Sequence, residues 1–180
     1  MSSKSRLAMF AASAVLLLQA APAALAEQGI AENMKPPLQI VNQTGIKVVV
    51  QINRADVIPK NGISKQVMGA KNLYDQYTAL GMKPGKDFEI VMVFRADGAQ
   101  FLLTDDAYDL KVAEPHPKGN ASIAMIKAMQ KGGVAMEECG FAMKMKGYEA
   151  GDILPSSRIV VSGIGAIVDL EKSGYLMITP

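Results

Sequence analysis

The chain has 180 residues, of which 19 are basic and 17 acidic, so its formal net charge is only +2. It therefore lacks the basic excess with which proteins bind nucleic acids or acidic membranes. Its single cysteine excludes an internal disulfide, whereas exported domains stabilised by cysteine use it in pairs.

The first 26 residues have the pattern of a secretory signal peptide. Lys4 and Arg6 form a positive segment, residues 7–18 are apolar, and a small-x-small cleavage site ends at Ala26. The apolar run is too short to span a membrane comfortably, and no nearby cysteine follows that could carry a lipid. We predict export to a bacterial periplasm, with cleavage after Ala26.

Three segments are predicted: the signal peptide at 1–26, a polar N-terminal extension at 27–45, and one domain at 46–180. Within the extension, residues 38–41 could add an edge strand. The signal peptide contains two of the 19 basic residues and no acidic one, so the mature chain has 17 of each. A balanced charge predicts neither nucleic acid nor membrane as a partner.

Short apolar runs, several rich in β-branched residues, predict five strands, at residues 46–52, 88–94, 134–139, 158–161 and 175–178. Between them, apolar residues recur at spacings of three and four, which is typical of helices. Ser64 and Asn120 stand in capping positions before two of these helices, and residues 162–165 open a third. A shorter helix is predicted after Gly140, and a further helical segment within residues 101–109. This alternation predicts a single α/β domain with a mainly parallel sheet.

Cys139 lies where the third predicted strand ends and a helix begins. Gly140, the next residue, permits the sharp change of direction. Ligands bind at the carboxyl ends of strands in open α/β sheets, and a helix N-terminus favours the nucleophilic thiolate. A buried inert residue, an intermolecular link and a metal ligand remain alternatives for a lone cysteine. Cys139 is nevertheless the first candidate for chemistry.

Other polar motifs favour simpler interpretations. Residues 162–165 could cradle a small anion with backbone N–H groups, but they lack the third glycine of a dinucleotide fingerprint. Asp105, Asp106 and Asp109 are interpreted as caps, and His116, between two prolines, as a surface loop residue. One cysteine and one histidine are too few for a structural zinc site. We therefore predict no cofactor and no metal site.

Methionines near Cys139 leave a second function open. Thiolate and thioether ligands select Cu(I), and Met136, Met143 and Met145 flank Cys139. Other methionines fall at predicted core positions, where this residue serves packing. The alternative function is therefore a non-enzymatic oligomeric binding module that holds a soft metal.

Several pieces of sequence also occur in a characteristic order and spacing. They are Lys47-Val-Val-Val-Gln-Ile-Asn53, Asn72-Leu73, Phe88-Glu-Ile-Val-Met-Val93, Val134-Ala-Met-Glu-Glu-Cys139, Met143-Lys144, Asp152-Ile-Leu-Pro155, Ile159-Val-Val-Ser-Gly163 and Gly174-Tyr-Leu176. Together they resemble the DsrE/DsrF-like (YchN-like) sulfur-relay family, in its exported single-domain type, over residues 46–180.

The resemblance implies a flavodoxin-like three-layer α/β/α sandwich that assembles into homotrimers or homohexamers. It also implies a cysteine that accepts sulfane sulfur as a persulfide, and Cys139 matches the cysteine that ends the third strand in exported relatives. Two departures stand out. Gln51 occupies a position where relatives often have histidine, and residues 95–98 replace a histidine–glycine pair. Histidine-assisted proton transfer is therefore not expected.

We predict a periplasmic sulfur carrier, sulfurtransferase-like if catalytic, that holds sulfane sulfur as a persulfide on Cys139. Its partners would be proteins or small sulfur species that donate and accept the sulfur. In a flavodoxin-like strand order the first strand lies between the second and third, which would bring its end beside Cys139. The predicted substrate-binding residues lie near the ends of three strands: Asn53, Arg54, Gly140, Lys144, Ser162 and Gly163.

Overall fold

The computed structural model describes residues 40–180, so the predicted signal peptide and most of the predicted extension lie outside the described residues. The strands are β1 (Ile46–Ile52), β2 (Phe88–Phe94), β3 (Ala135–Cys139), β4 (Arg158–Val160) and β5 (Leu176–Ile178). The sequence predicted each of them to within one residue at either end. Of the possible edge strand at 38–41, residues 38 and 39 are not described, and Ile40 and Val41 form no strand.

The α-helices are α1 (Lys65–Ala79), α2 (Asp105–Lys111), α3 (Ile123–Lys131), α4 (Gly140–Lys146) and α5 (Gly163–Lys172). Two 3-10 helices, Ala96–Leu102 and Ala150–Asp152, complete the elements of the described region. None of the helices within residues 40–180 is long and apolar enough to cross a membrane.

All neighbouring strands pair in parallel, in the order β4-β3-β2-β1-β5. The predicted α/β fold with a parallel five-stranded sheet is confirmed. The predicted position of β1 between β2 and β3 is wrong, because β2 lies between β1 and β3. Three successive crossovers move the chain in one direction, from β1 to β4, and only the last returns across the sheet to β5.

This order determines which face each helix covers. Parallel crossovers are right-handed, so a reversal of direction moves the helix to the opposite face. α1 packs its Tyr77 ring 5.1 Å from Phe88 on one face, and the 3-10 helix 96–102 and α3 extend that layer. On the other face, Ile167 of α5 packs against Val49, Val91 and Val93. The sheet is therefore the middle layer of an α/β/α sandwich.

Two helices begin at a serine whose side-chain oxygen accepts a backbone N–H group of the first turn. Ser64 caps α1 by accepting from Val67, as predicted, and Ser162 caps α5 by accepting from Gly165. The predicted Asn120 cap is wrong, because Ser122 occupies the cap position of α3. The Asn120 side chain is buried instead, and donates to the carbonyl oxygens of Phe101 and Leu103. Its Oδ1 atom still accepts the Ser122 N–H, so Asn120 forms a turn before the helix while its amide nitrogen satisfies two distant carbonyl oxygens.

Candidate functional site

Cys139 ends β3 and is the residue that caps α4. Its sulfur accepts the backbone N–H of Ala142 at 3.4 Å and that of Gly163 at 3.1 Å. The first donor belongs to α4 and the second to the start of α5. Two backbone donors from separate helices therefore converge on one sulfur atom, and Cys139 is only 6% exposed. N–H groups directed at sulfur stabilise negative charge on it.

The strand order explains why two helices meet at this sulfur. The crossover that follows β3 keeps to the face of α1, whereas the crossover that follows β4 passes to the opposite face. β3 and β4 are neighbours, and Cys139 pairs with Val160. Their carboxyl ends thus form a topological switch point, which is where open α/β sheets bind ligands. The sequence correctly predicted that the site lies at the carboxyl edge of the sheet. It placed the end of β1 beside Cys139, however, whereas the structure places the end of β4 there.

Two predicted glycines permit the close approach of these segments. A Cβ atom on Gly163 would lie 3.2 Å from the Cβ atom of Cys139 and 3.0 Å from that of Arg95. A Cβ atom on Gly140 would lie 3.0 Å from the Val160 carbonyl oxygen. The structure therefore brings the predicted Gly140, Ser162 and Gly163 together with Cys139.

Arg95 is a residue of this site that the sequence interpretation missed. It follows β2 directly, so its backbone is adjacent to the end of β3, and its Nε donates to Gln51 Oε1 at 2.6 Å. Gln51 also donates to the Thr179 hydroxyl at 2.9 Å, which fixes its amide. The residue found in place of the expected histidine thus holds the Arg95 guanidinium at the end of β1, while the aliphatic part of Arg95 lies against Gly163. The correct strand order would have placed Arg95, which follows β2, at the end of the strand beside β3.

Asn53 and Arg54 do not lie beside Cys139, because β2 separates the ends of β1 and β3. Two strand spacings amount to roughly 9.6 Å. The backbone N–H groups of both residues donate to Gln66 Oε1, and the Arg54 guanidinium donates to the Pro180 carbonyl oxygen. The predicted proximity of Asn53 and Arg54 to the sulfur is therefore wrong.

Lys144 lies on α4 and lines a shallow groove with Gly140, Phe141 and β4 residues. Within residues 40–180, Lys144 forms no ion pair. Its predicted role in substrate binding stays a prediction. Exposed on the same helix, Met145 is not positioned to share a buried site with Cys139. Met136 points to the opposite face of β3, because strand side chains alternate.

Glu138, immediately before Cys139, points to the α1 face of the sheet. Its side chain is fully buried, and neither carboxyl oxygen has a hydrogen-bond partner. Burial, with a smaller contribution from negative charge on Cys139, raises the pKa of Glu138 to about 9. Glu138 is therefore a neutral acid at pH 7. Burial and the nearby Glu138 also raise the pKa of Tyr148, to about 12.

The remaining polar motifs have structural roles. Asp105 and Asp109 accept the backbone N–H groups of Asn120 and Gly119, as the capping interpretation predicted. His116 is not a surface residue, since only 7% of its side chain is exposed. Its ring packs 5.0 Å from Tyr108 and contacts backbone carbonyl oxygens. Within residues 40–180, no three His, Cys, Asp or Glu side chains cluster as they would to hold a metal ion.

Comparisons with known proteins agree with this architecture. Of two similar solved structures, the protein of unknown function MTH1491 from Methanobacterium thermoautotrophicum is 19% identical, with a TM-score of 0.55. The ychN protein from E. coli is 14% identical, with a TM-score of 0.48. Each match covers 75% of this chain and 99% of the other. The likeness to MTH1491 shows the fold.

No curated protein matches the chain. The profile of the DsrE/DsrF-like family matches residues 60–180, which is more than half of the sequence. The chain therefore belongs to the DsrE/DsrF-like family, which is associated with sulfur relay.

Proposed function

We propose that this protein is a periplasmic sulfur carrier that holds sulfane sulfur as a persulfide on Cys139. The observation that carries the proposal is the pair of backbone N–H groups, from Ala142 and Gly163, that donate to the sulfur. They favour the thiolate, which is the attacking form in sulfur exchange. Membership of a family associated with sulfur relay supports the same chemistry.

The transfer step needs no external oxidant. The Cys139 thiolate attacks the terminal sulfur of a donor R–S–SH, the donor S–S bond breaks, and R–S⁻ leaves with the bonding electron pair. The product is Cys139–S–SH, with the proton still on the terminal sulfur. Delivery to an acceptor thiolate repeats the exchange in the opposite sense and regenerates the Cys139 thiolate. Arg95, at the end of the neighbouring strand β2, contributes positive charge at this edge of the sheet, where a thiolate reacts and a thiolate leaves.

The test is intact mass spectrometry of the mature protein after treatment with inorganic polysulfide. We expect a gain of one sulfur atom that a reductant reverses. Cys139→Ser should show no gain while keeping the far-UV circular dichroism of the parent, because serine is nearly isosteric. A thiol that reacts with an alkylating agent only after unfolding would refute the proposal, since Cys139 would then be an inert core residue.

Export and assembly are further parts of the proposal. N-terminal sequencing of the protein from its native compartment should find Glu27 first, and an intact Met1 on most molecules would refute export.

The proposed assembly is supported by exposed apolar side chains around β4: Phe141, Val161 and Ile164 are 65%, 92% and 61% exposed. Apolar groups clustered in this way mark interaction surfaces. Light scattering should give a mass of three or six subunits, and a monomer at micromolar concentration would refute the assembly.

A further inference from the structure

A groove of about 570 Å³ runs between β4 and α5, on the sheet face that also carries Cys139. Glu137 of β3 lines it. The Glu137 side chain is only 1% exposed, and its Oε2 atom has no hydrogen-bond partner. Burying a carboxylate is costly unless it is fully paired and hydrogen-bonded. A buried carboxyl oxygen without a partner, in the wall of a groove, points to a ligand that supplies a donor.

The charges in the groove are of both signs. The Arg158 guanidinium donates to Glu137 Oε1 and is 72% exposed, so its other N–H groups remain accessible to a ligand. Asp169 of α5 lines the same groove, together with the hydroxyl-bearing Ser162 and Ser173. Two carboxylates and one guanidinium therefore surround a space lined in part by hydroxyl groups. This set complements a small molecule that carries both an ammonium and a carboxylate group.

We propose that this groove binds the zwitterionic end of a cysteine-sized α-amino acid hydropersulfide, which is the sulfur donor to Cys139. The inference rests on the proposed function and adds the class of substrate to it. Glu137 and Asp169 receive the ammonium group, and Arg158 receives the carboxylate through N–H groups not used by Glu137. A groove of this volume lies within the range of small-molecule sites.

The position of Glu137 along β3 sets the size of the donor. Glu137 and Cys139 are two residues apart on the same strand, so their side chains share one face and their Cα atoms are roughly 7 Å apart. Ser162 lines the groove, and the next residue, Gly163, donates its N–H to the Cys139 sulfur. The groove thus ends beside the residue that contacts the sulfur. In a cysteine derivative the ammonium group and the sulfur are separated by only a few bonds, which matches this short span.

Transfer follows the exchange already described, with R–S–SH as cysteine hydropersulfide. The Cys139 thiolate attacks the terminal sulfur, the S–S bond breaks, and cysteine leaves as its thiolate. Free cysteine retains the ammonium and carboxylate groups that the groove recognises, so it should also inhibit the transfer in competition with its hydropersulfide.

The experiment compares the rate of sulfur gain on Cys139 from three donors at equal concentration. They are the hydropersulfides of cysteine, of 3-mercaptopropionate, which lacks the ammonium group, and of cysteamine, which lacks the carboxylate. Each deleted group removes a charge-assisted hydrogen bond, so we expect cysteine hydropersulfide to react about tenfold faster than either truncated donor. Equal rates for the three donors in the parent protein would overturn the inference.

Variants assign each charge to its partner. Glu137→Gln should remove the advantage given by the ammonium group, and Arg158→Gln the advantage given by the carboxylate. Glu171→Gln and Lys172→Gln, on the last turn of α5 outside the groove, should preserve both. If Glu137→Gln fails to fold, the exposed Asp169→Asn tests the same preference for the ammonium group. Variants that slow all three donors equally would show that these residues do not recognise the donor, and the inference would fail.

A ligand without sulfane sulfur separates this inference from the proposed function. S-methylcysteine should shift the backbone amide resonances of β4 and α5 in an NMR titration, and Arg158→Gln should weaken the binding about tenfold. If no donor modifies Cys139 but S-methylcysteine binds, the carrier function fails and the amino-acid site stands. If polysulfide modifies Cys139 but S-methylcysteine causes no shifts, the carrier function stands and the site fails.

Discussion

Replacing Glu138 with glutamine should make the protein more stable at pH 8, although the change removes a buried carboxyl group. Burial raises the pKa of Glu138 from 4.5 to about 9 in the folded protein. Between these values the unfolded chain loses the proton while the folded chain keeps it. The free energy of unfolding therefore decreases as pH rises, by about 1.4 kcal/mol per pH unit. The contribution is complete below pH 4.5 and is lost as pH rises towards 9.

The glutamine side chain has the same shape and does not titrate, so the variant lacks this slope. From pH 5 to pH 8 the parent should lose up to about 4 kcal/mol relative to the variant, which is a large part of a typical stability. At pH 5 the two proteins should differ by about 1 kcal/mol or less, because both buried groups are then neutral and unpaired. The sign at pH 8 is the firm expectation: Glu138→Gln is the more stable protein.

Urea unfolding at pH 5, 6, 7 and 8 measures this difference. Both proteins should carry Cys139→Ser, which removes the charge of the neighbouring sulfur, so that the remaining and somewhat smaller shift reflects burial. Tyr148 and Asp152 keep the same protonation state between pH 5 and pH 8. Burial is the main cause that raises the pKa of Tyr148 to about 12. The pKa of Asp152 is lowered by hydrogen bonds, first of all from the Glu149 backbone N–H. The exposed Glu171→Gln provides the control. Parallel stability profiles for the Glu138→Gln protein and its parent would refute the buried neutral acid.

Three further substitutions test the site and its support. Gly163→Ala should slow sulfur gain on Cys139 and destabilise the fold by about 1–3 kcal/mol, because the new Cβ atom would lie 3.2 Å from Cys139 and 3.0 Å from Arg95. Gly165→Ala is the control: its new Cβ atom would have no contact shorter than 3.7 Å, so neither the rate nor the stability should fall. Arg95→Gln should slow sulfur gain by about tenfold in stopped-flow mixing with polysulfide, and an unchanged rate would remove it from the site. Ser64→Ala should cost about 1 kcal/mol in urea unfolding through loss of a buried cap, and an unchanged midpoint would contradict that role.

The sequence was sufficient to predict the elements because each has a strong local cause. The β-branched run Ile46–Ile52 can satisfy its backbone and its burial only as an interior strand, and it is one. Ser64 and Ser162 accept N–H groups three residues onward, so their capping does not depend on distant partners. Distant partners decide other outcomes. Asn120 keeps a local bond from the Ser122 N–H, but its amide nitrogen donates to the Phe101 carbonyl oxygen, and the helix begins two residues later than predicted.

Strand order belongs to this second class. A parallel strand buried on both faces has the same composition wherever it lies in the sheet, so the sequence of β1 does not identify its neighbours. Contacts between helices and strands on both faces fix the order, and they involve residues far apart in the chain. For this reason Asn53 and Arg54 were assigned to the sulfur site, and Arg95 was not. The error in order carried directly into an error in the site.

Cys139 was identified despite this error because two of its determinants are local. It ends a strand, and it caps the next helix, whatever strand lies beside it. The third determinant is not local: the Gly163 N–H reaches the sulfur only because β4 is adjacent to β3 and the following helix crosses to the opposite face. The single reversal of chain direction therefore does two things. It completes the three-layer fold, and it delivers a second backbone donor to the sulfur on the face where the groove of Glu137 and Arg158 ends.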